Sequence, residues 1–186
     1  RGSLPQPARQ GPVVIAIIDT GVDYLHEDLR LRMGINLREC RGKSGVDDDG
    51  NGFVDDCRGW DFCDNDNDPM DDHGHGTHCA GIASASTDNG RGIAGVGGNS
   101  AIILPLKIMA GHGRRCSGVS NALRAINYAY RMGAHVMSNS YKMSRRSPAM
   151  AHAIRIITRA GRVFVAAAGN DGSDKDRNPI WPCNYR

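Results

Sequence analysis

Four short apolar runs punctuate the chain, at residues 13–18, 101–104 with a continuation to Met109, 135–137 and 163–168. Near-continuous apolar runs of this length, without polar alternation, predict strands buried on both faces. Between them lie segments of helical character over residues 75–86, 117–131 and 148–159, and in the last of these Ala153, Ile154 and Ile157 fall on one side. Gly133 and Gly161 follow the second and third segments at the position where helices stop. Apolar strands alternating with helices predict the α/β class, a doubly wound parallel sheet with helices on both faces. Open sheets of this kind carry their sites at the carboxyl ends of strands, and Asp19 and Asn170 stand at two such ends. Residues 38–72 break the pattern with glycines, asparagines and aspartates, and read as a long ordered insertion.

Composition narrows the class. The 186 residues suit one domain, here 1–186, with 40% apolar and 23% charged residues. No apolar run approaches the roughly 18 residues that a membrane span needs, so a soluble chain is expected. The net charge of +3 hides an asymmetry: 11 of the 20 acidic residues lie between Asp47 and Asp72, where Arg58 is the only lysine or arginine. The basic remainder is scattered and shows no groove-reading motif, which argues against a nucleic-acid partner. Six cysteines without a CxxC pair favour an oxidising compartment, secreted or within the secretory pathway, and leave 15 pairings open. The polar first ten residues carry two prolines and no apolar h-region, so a processed or trimmed chain is expected.

Three blocks carry candidate chemistry. Asp19-Thr20-Gly21 follows the first strand, where an aspartate can accept a hydrogen bond from a histidine Nδ1–H and orient that ring. Aspartic peptidases use the same tripeptide, but they need two such aspartates sharing a proton, and the chain has one copy within the wrong alternation of elements. The second block, residues 72–81, reads Asp-His-Gly-His-Gly-Thr-His-Cys-Ala-Gly, and its small residues would let a helix start tightly against the sheet with His75 at its N-terminal end as general base. An alternative treats His73, His75 and His78 as zinc ligands. The third block runs from Val165 through Ala168 and Gly169 to Asn170, whose side-chain amide could donate to a developing oxyanion.

In the order Asp, His, Asn on one parallel sheet, these blocks resemble the subtilase family of serine proteases, over nearly the whole chain and corresponding to the N-terminal two-thirds of its catalytic domain. The resemblance implies a serine endopeptidase acting on peptide or protein substrates through an acyl-enzyme, with a propeptide as a possible inhibitor of a zymogen. It implies that Ser140 and Tyr141, with Ala168 and Gly169, border the first substrate pocket, near Trp181-Pro182, and that Arg115 and Ser117 lie where an enzyme strand pairs with the substrate backbone. The family's glycines around those segments are replaced by Arg115, Lys142 and Met143. The family's serine lies in a Gly-Thr-Ser block, and no such block occurs here. The nucleophile is therefore expected beyond these residues, and the chain alone is expected to be inactive because such groups act as a unit. The competing reading is a non-catalytic calcium-binding pseudoprotease.

Calcium is the expected cofactor, in a structural role. Asp47, Asp49, Asn51, Phe53 and Asp55 place oxygen donors at alternating positions with Gly52 sixth, like the start of an EF-hand loop. Position twelve is Arg58, so the loop needs a carboxylate from elsewhere, Asp56 or Asp61 being candidates. A second site, implied by the resemblance, joins Asp28 to Asn89 through side chains and to Thr87, Arg91 and Ile93 through carbonyls, with Gln6 or Gln10 as a further candidate. Cys79 resembles the free cysteine of the proteinase K branch, which would leave an odd number of cysteines for pairing.

Overall fold

The computed structural model describes residues 11–111, 116 and 118–185. In chain order the elements are β1 (Val13–Asp19), α1 (Leu37–Arg41), β2 (Trp60–Asp61), α2 (His75–Ser84), β3 (Ala101–Lys107), α3 (Val119–Arg131), β4 (Val136–Asn139), α4 (Pro148–Arg159) and β5 (Val163–Ala166). The five strands form one parallel sheet in the order β2-β3-β1-β4-β5. β1 is central, in register with β3 along its whole length and with β4 from Ile15 to Ile17.

Strand periodicity explains why β1 is apolar throughout. Successive side chains point to opposite faces, and here both faces are covered. Ala16 and Ile18 pack with Leu104, Leu106, Ala125, Ile126, Met137, Met150 and Ile157 under α3 and α4. Ile17 packs with Val22, Leu29, Ala80, Ala85 and Ile103 under α2. The doubly wound α/β arrangement read from the sequence is the observed one.

Local signals set the helix ends. Pro148 is the first residue of α4, and the Ser147 hydroxyl before it accepts from the Met150 N–H at 3.3 Å. Gly161, at φ +78°, turns the chain out while the Arg162 N–H returns to the Ile157 carbonyl. Gly133, at φ +77°, does the same after α3, with the Ala134 N–H bonding to Ala129.

The acidic insertion is ordered and held by its apolar residues. The Phe53 ring meets Trp60 and Tyr128 edge-on, at centroid distances of 4.9 and 4.8 Å. Two disulfides pin it, Cys40–Cys57 within the insertion and Cys63–Cys116 to the segment before α3. Cys79 and Cys183 are free, so Cys79 is unpaired as the resemblance implied. β2 and α1 are absent from the sequence reading, because two and five residues are too short to show a period.

Candidate active site

Asp19 is the last residue of β1, buried to 1% exposure. The Thr20 N–H donates to its Oδ1 at 2.7 Å, and its carbonyl accepts from the Ile108 N–H beyond β3. His75 is the first residue of α2 and half-exposed, with Nδ1 2.6 Å from Asp19 Oδ1. With Asp19 as acceptor, the proton lies on Nδ1 and Nε2 of the neutral ring is left to accept.

Two glycines make that approach possible. A Cβ on Gly76 would collide with the Gly21 carbonyl oxygen and stand 3.2 Å from the Asp19 Cβ. Gly21, at φ +98°, passes so close to the 69–71 segment that a Cβ would lie 2.5 Å from the Pro69 carbonyl oxygen. The small residues of the two blocks thus let α2 begin against the end of β1.

The residue that holds this junction is Asp71, which the sequence reading passed over. Its Oδ1 accepts from the Thr20 hydroxyl at 2.8 Å, the His73 N–H at 2.9 Å and the Gly74 N–H at 3.0 Å. Its Oδ2 accepts from the Thr77 N–H at 2.9 Å and the Thr77 hydroxyl at 2.6 Å. The Thr20 hydroxyl in turn accepts from the Gly76 N–H at 2.9 Å. Burial works to raise the Asp71 carboxyl, but the Thr77, Gly74 and His73 donors outweigh it and lower the pKa. An acidic group just before a tightly started helix was the available signal.

Next to it, the buried Lys107 donates to the Met70 carbonyl at 2.9 Å, with Nζ 3.3 Å from Asp72 and 3.8 Å from Asp61. Asp72 also accepts from the Gly111 N–H at 2.8 Å. Asp61 is therefore taken up by Lys107 and by the N–H groups of Cys63 and Asp64, and does not complete the acidic loop.

Ser140 and Tyr141 follow β4 directly. The Tyr141 hydroxyl donates to the buried Asn139 side chain at 3.0 Å, and that amide donates to the Val165 carbonyl of β5 at 3.1 Å. Met143 and Trp181 exchange backbone hydrogen bonds of 2.6 and 3.1 Å, which brings Trp181-Pro182 beside this segment as the resemblance implied. Ala168 and Gly169 lie beyond β5 and lead to Asn170, which is exposed in the following bend. Arg115, Ser117, Gln6 and Gln10 lie outside the described residues. His73 and His75 have ring centroids 6.3 Å apart, and among the described residues the three histidines of the zinc alternative form no cluster. His75 is instead grouped with Asp19 and Cys79, whose ligand atoms lie within 4.8 Å of one another. Burial pushes the Cys79 thiol up, against a hydrogen bond from Ser140.

In the acidic loop, the carboxylates that converge within 4.8 Å are Glu39, Asp49 and Asp56. Glu39, on α1, was missed by sequence. It accepts from the N–H groups of Asp49 and Asp55, each at 2.9 Å. Asp56 is fully buried and accepts from Asn36, Asn51 and the Tyr128 hydroxyl. Burial pushes its carboxyl up, and the Asp49 charge adds to this against those donors. The Asp47 carboxylate instead accepts from the N–H groups of Gly50, Asn51 and Gly52, and that of Asp55 from Gly45. Three crowded carboxylates, two of them buried, fit a hard cation better than empty space.

At the second site Asn89 donates to Asp28 Oδ1 at 2.6 Å and the Ile93 N–H to Oδ2 at 3.1 Å, so the loop closes over Asp28. Those two donors, Asn89 first, lower the Asp28 carboxyl. The Arg91 N–H donates to the Asn89 side chain at 3.1 Å, and the Thr87 N–H to Asn99 at 3.4 Å.

The architecture is thus a parallel α/β sheet with an aspartate–histidine pair at the carboxyl end of its central strand, the arrangement of one class of hydrolase. Comparison with known proteins makes the assignment specific. The Subtilase family matches residues 10–186, and the chain belongs to that family. It is 38% identical over 165 residues to Subtilisin-like protease 1 of Plasmodium vivax, which is 89% of this chain and 26% of that protein. It is 36% identical over 171 residues to thermitase of Thermoactinomyces vulgaris, 91% of this chain and 52% of that one. A solved structure, the S41 psychrophilic protease, superposes with a TM-score of 0.66 at 26% identity, covering 88% of this chain and 48% of that one. The chain spans about a quarter of the length of the Plasmodium relatives.

Proposed function

We propose that these residues supply the acid–base half of a serine endopeptidase. The observation that carries the reading is the 2.6 Å approach of His75 Nδ1 to Asp19 at the end of β1. In the reaction His75 Nε2 takes the proton of a serine hydroxyl contributed from outside these 186 residues. Asp19 holds the ring's tautomer and stabilises the imidazolium, and the Asn170 amide donates to the oxyanion of the tetrahedral intermediate. His75 then gives its proton to the leaving amine, and the acyl-enzyme is hydrolysed by water. Peptide or protein substrate lies along Ser140, Tyr141, Ala168 and Gly169, the family resemblance adds Arg115 and Ser117 to the residues that bind it, and a propeptide is a further partner.

Calcium has a structural role in this reading. Glu39, Asp49 and Asp56, with the loop of Asp47, Asn51, Phe53 and Asp55, would hold one ion, and Asp28 with Thr87, Asn89, Arg91 and Ile93 another. Bound there, it supplies charge neutralisation for carboxylates that otherwise repel. The two disulfides support a secreted or secretory-pathway location.

A fluorophosphonate probe tests the proposal on the full-length protein. Labelling of one serine, lost on His75→Ala, is expected. Absence of labelling with correctly folded, calcium-loaded protein would refute it and leave the non-catalytic calcium-binding reading.

A further inference from the structure

We propose that Lys142 and Arg145 make this protein a reader of acidic substrates, drawing in a carboxylate side chain from the part of the substrate that precedes the scissile bond. The inference rests on the peptidase reading for where substrate lies, and goes beyond it in naming the substrate's charge. From Asn89 to Asn170 the sequence has twelve lysine and arginine residues and no aspartate or glutamate. Those residues build β3, α3, β4, α4 and β5, whereas the acidic run of residues 47–72 carries β2, at the opposite edge of the sheet from β5. Folding thus sorts the charge into an acidic side and a basic side.

Some of the basic residues are turned to the acidic side. Lys107 pairs with Asp61 and Asp72, Arg124 donates to Asn65, and Arg131 donates to the Asn51 carbonyl. Lys142, Arg145 and Arg146 are exposed, and no side-chain hydrogen bond or ion pair joins them to another described residue. Lys142 and Arg145 line a cavity of about 300 Å³ whose other walls include the apolar Ile108, Met109, Val119 and Tyr141, and among the described residues no carboxylate lines it. The cavity adjoins the site, because the N–H groups of Ile108 and Met109 both donate to the Asp19 carbonyl, at 2.8 and 3.3 Å. It also continues the segment of Ser140 and Tyr141, so its occupant in the peptidase reading is the acyl side of the substrate. Unpaired cations beside an apolar cavity favour a peptide that brings a carboxylate and disfavour one that brings a cation. The basic side as a whole steers the same peptides towards the site.

Fluorescent alanine-based peptides test this, each with a single Glu or Gln moved along the chain, bound to full-length His75→Ala protein so that none is cleaved. Anisotropy at low salt should show the best Glu peptide binding about three- to tenfold tighter than its Gln counterpart, the effect of two exposed cations on one carboxylate. The ratio should fall towards one in roughly 1 M salt, where the screening length is about 3 Å rather than the 10 Å or so at about 0.1 M. Lys142→Glu combined with Arg145→Glu should invert the preference, with unchanged circular dichroism because both side chains are exposed. Equal affinities at low salt, or a Glu preference that survives the reversal, overturn the inference and leave these cations as a solvated face. Should His75→Ala not fold, the ratio of kcat/KM for the two peptides in the parent reads the same preference. Fluorophosphonate labelling decides the peptidase reading and the Glu-to-Gln ratio decides this one, so the two can fail separately.

Discussion

Replacing Asp71 by asparagine tests the account of the β1–α2 junction most directly. The carboxylate accepts from five donors on Thr20, His73, Gly74 and Thr77. A hydrogen bond to a charged group contributes about 1.5–3 kcal/mol, but five bonds to one group are not additive. His73 and Gly74 are exposed, so water can replace Asp71 at their N–H groups. The Thr20 and Thr77 donors are the ones left in want of an acceptor, which sets the expected loss at about 2–4 kcal/mol. With one amide oxygen retained, Asp71→Asn should fall near the lower end and Asp71→Ala near the upper. At roughly 2–4 °C per kcal/mol for a chain of this size, the melting temperature drops about 4–16 °C across the two variants. The pH dependence follows from the direction of the shift. A carboxyl with a lowered folded-state pKa contributes its stability above the unfolded value of about 3.9 and loses it as pH falls through the folded value. The difference between parent and Asp71→Asn should therefore be full at pH 7 and shrink below about pH 4. Urea unfolding at several pH values measures it. A loss under about 1 kcal/mol at pH 7, or one that grows on acidification, would refute the reasoning.

Three further outcomes are expected. Converting Cys63 and Cys116 to serine opens a loop of sequence separation 53, against 17 for Cys40 and Cys57, so loop-closure entropy makes it the costlier loss, about 4 against about 3 kcal/mol; urea midpoints rank the two. Glu39→Gln should lower calcium affinity in calorimetry and raise sensitivity to chelator, because it removes one of three converging carboxylates; equal heats in parent and variant would exclude Glu39 from the site. Tyr128→Phe removes the hydroxyl that donates to the buried Asp56 at 2.6 Å and should cost about 1–3 kcal/mol in thermal unfolding without calcium.

The sheet was legible in sequence because β1 and β3 are long and apolar, and a strand buried on both faces leaves that trace wherever it occurs. β2 left none, being two residues held in place by Leu106 and Lys107 of its neighbour. Asp19 and His75 were legible because their blocks combine a reactive side chain with the glycines that the close approach of α2 demands. Asp71 and Glu39 were not: the His73, Gly74 and Thr77 donors of Asp71 are local, but the Thr20 hydroxyl that ties it to the end of β1 lies 51 residues away, and Asp55 lies 16 from Glu39. Asp61 illustrates the reverse. Its place in an acidic run suggested calcium, but the fold gives it Lys107, whose long side chain reaches it from β3.

The central position of β1 has a consequence for how such a site fails. Asp19 ends a strand paired with neighbours on both edges, so its placement is inherited from the middle of the sheet. The peripheral loops that would bind metal contribute little to aiming the pair. Stripping cations should then shorten the protein's lifetime, through opened loops and cleavage, well before it blurs the alignment of aspartate and histidine. Wear would come from the rim inward, with the central geometry the last to go.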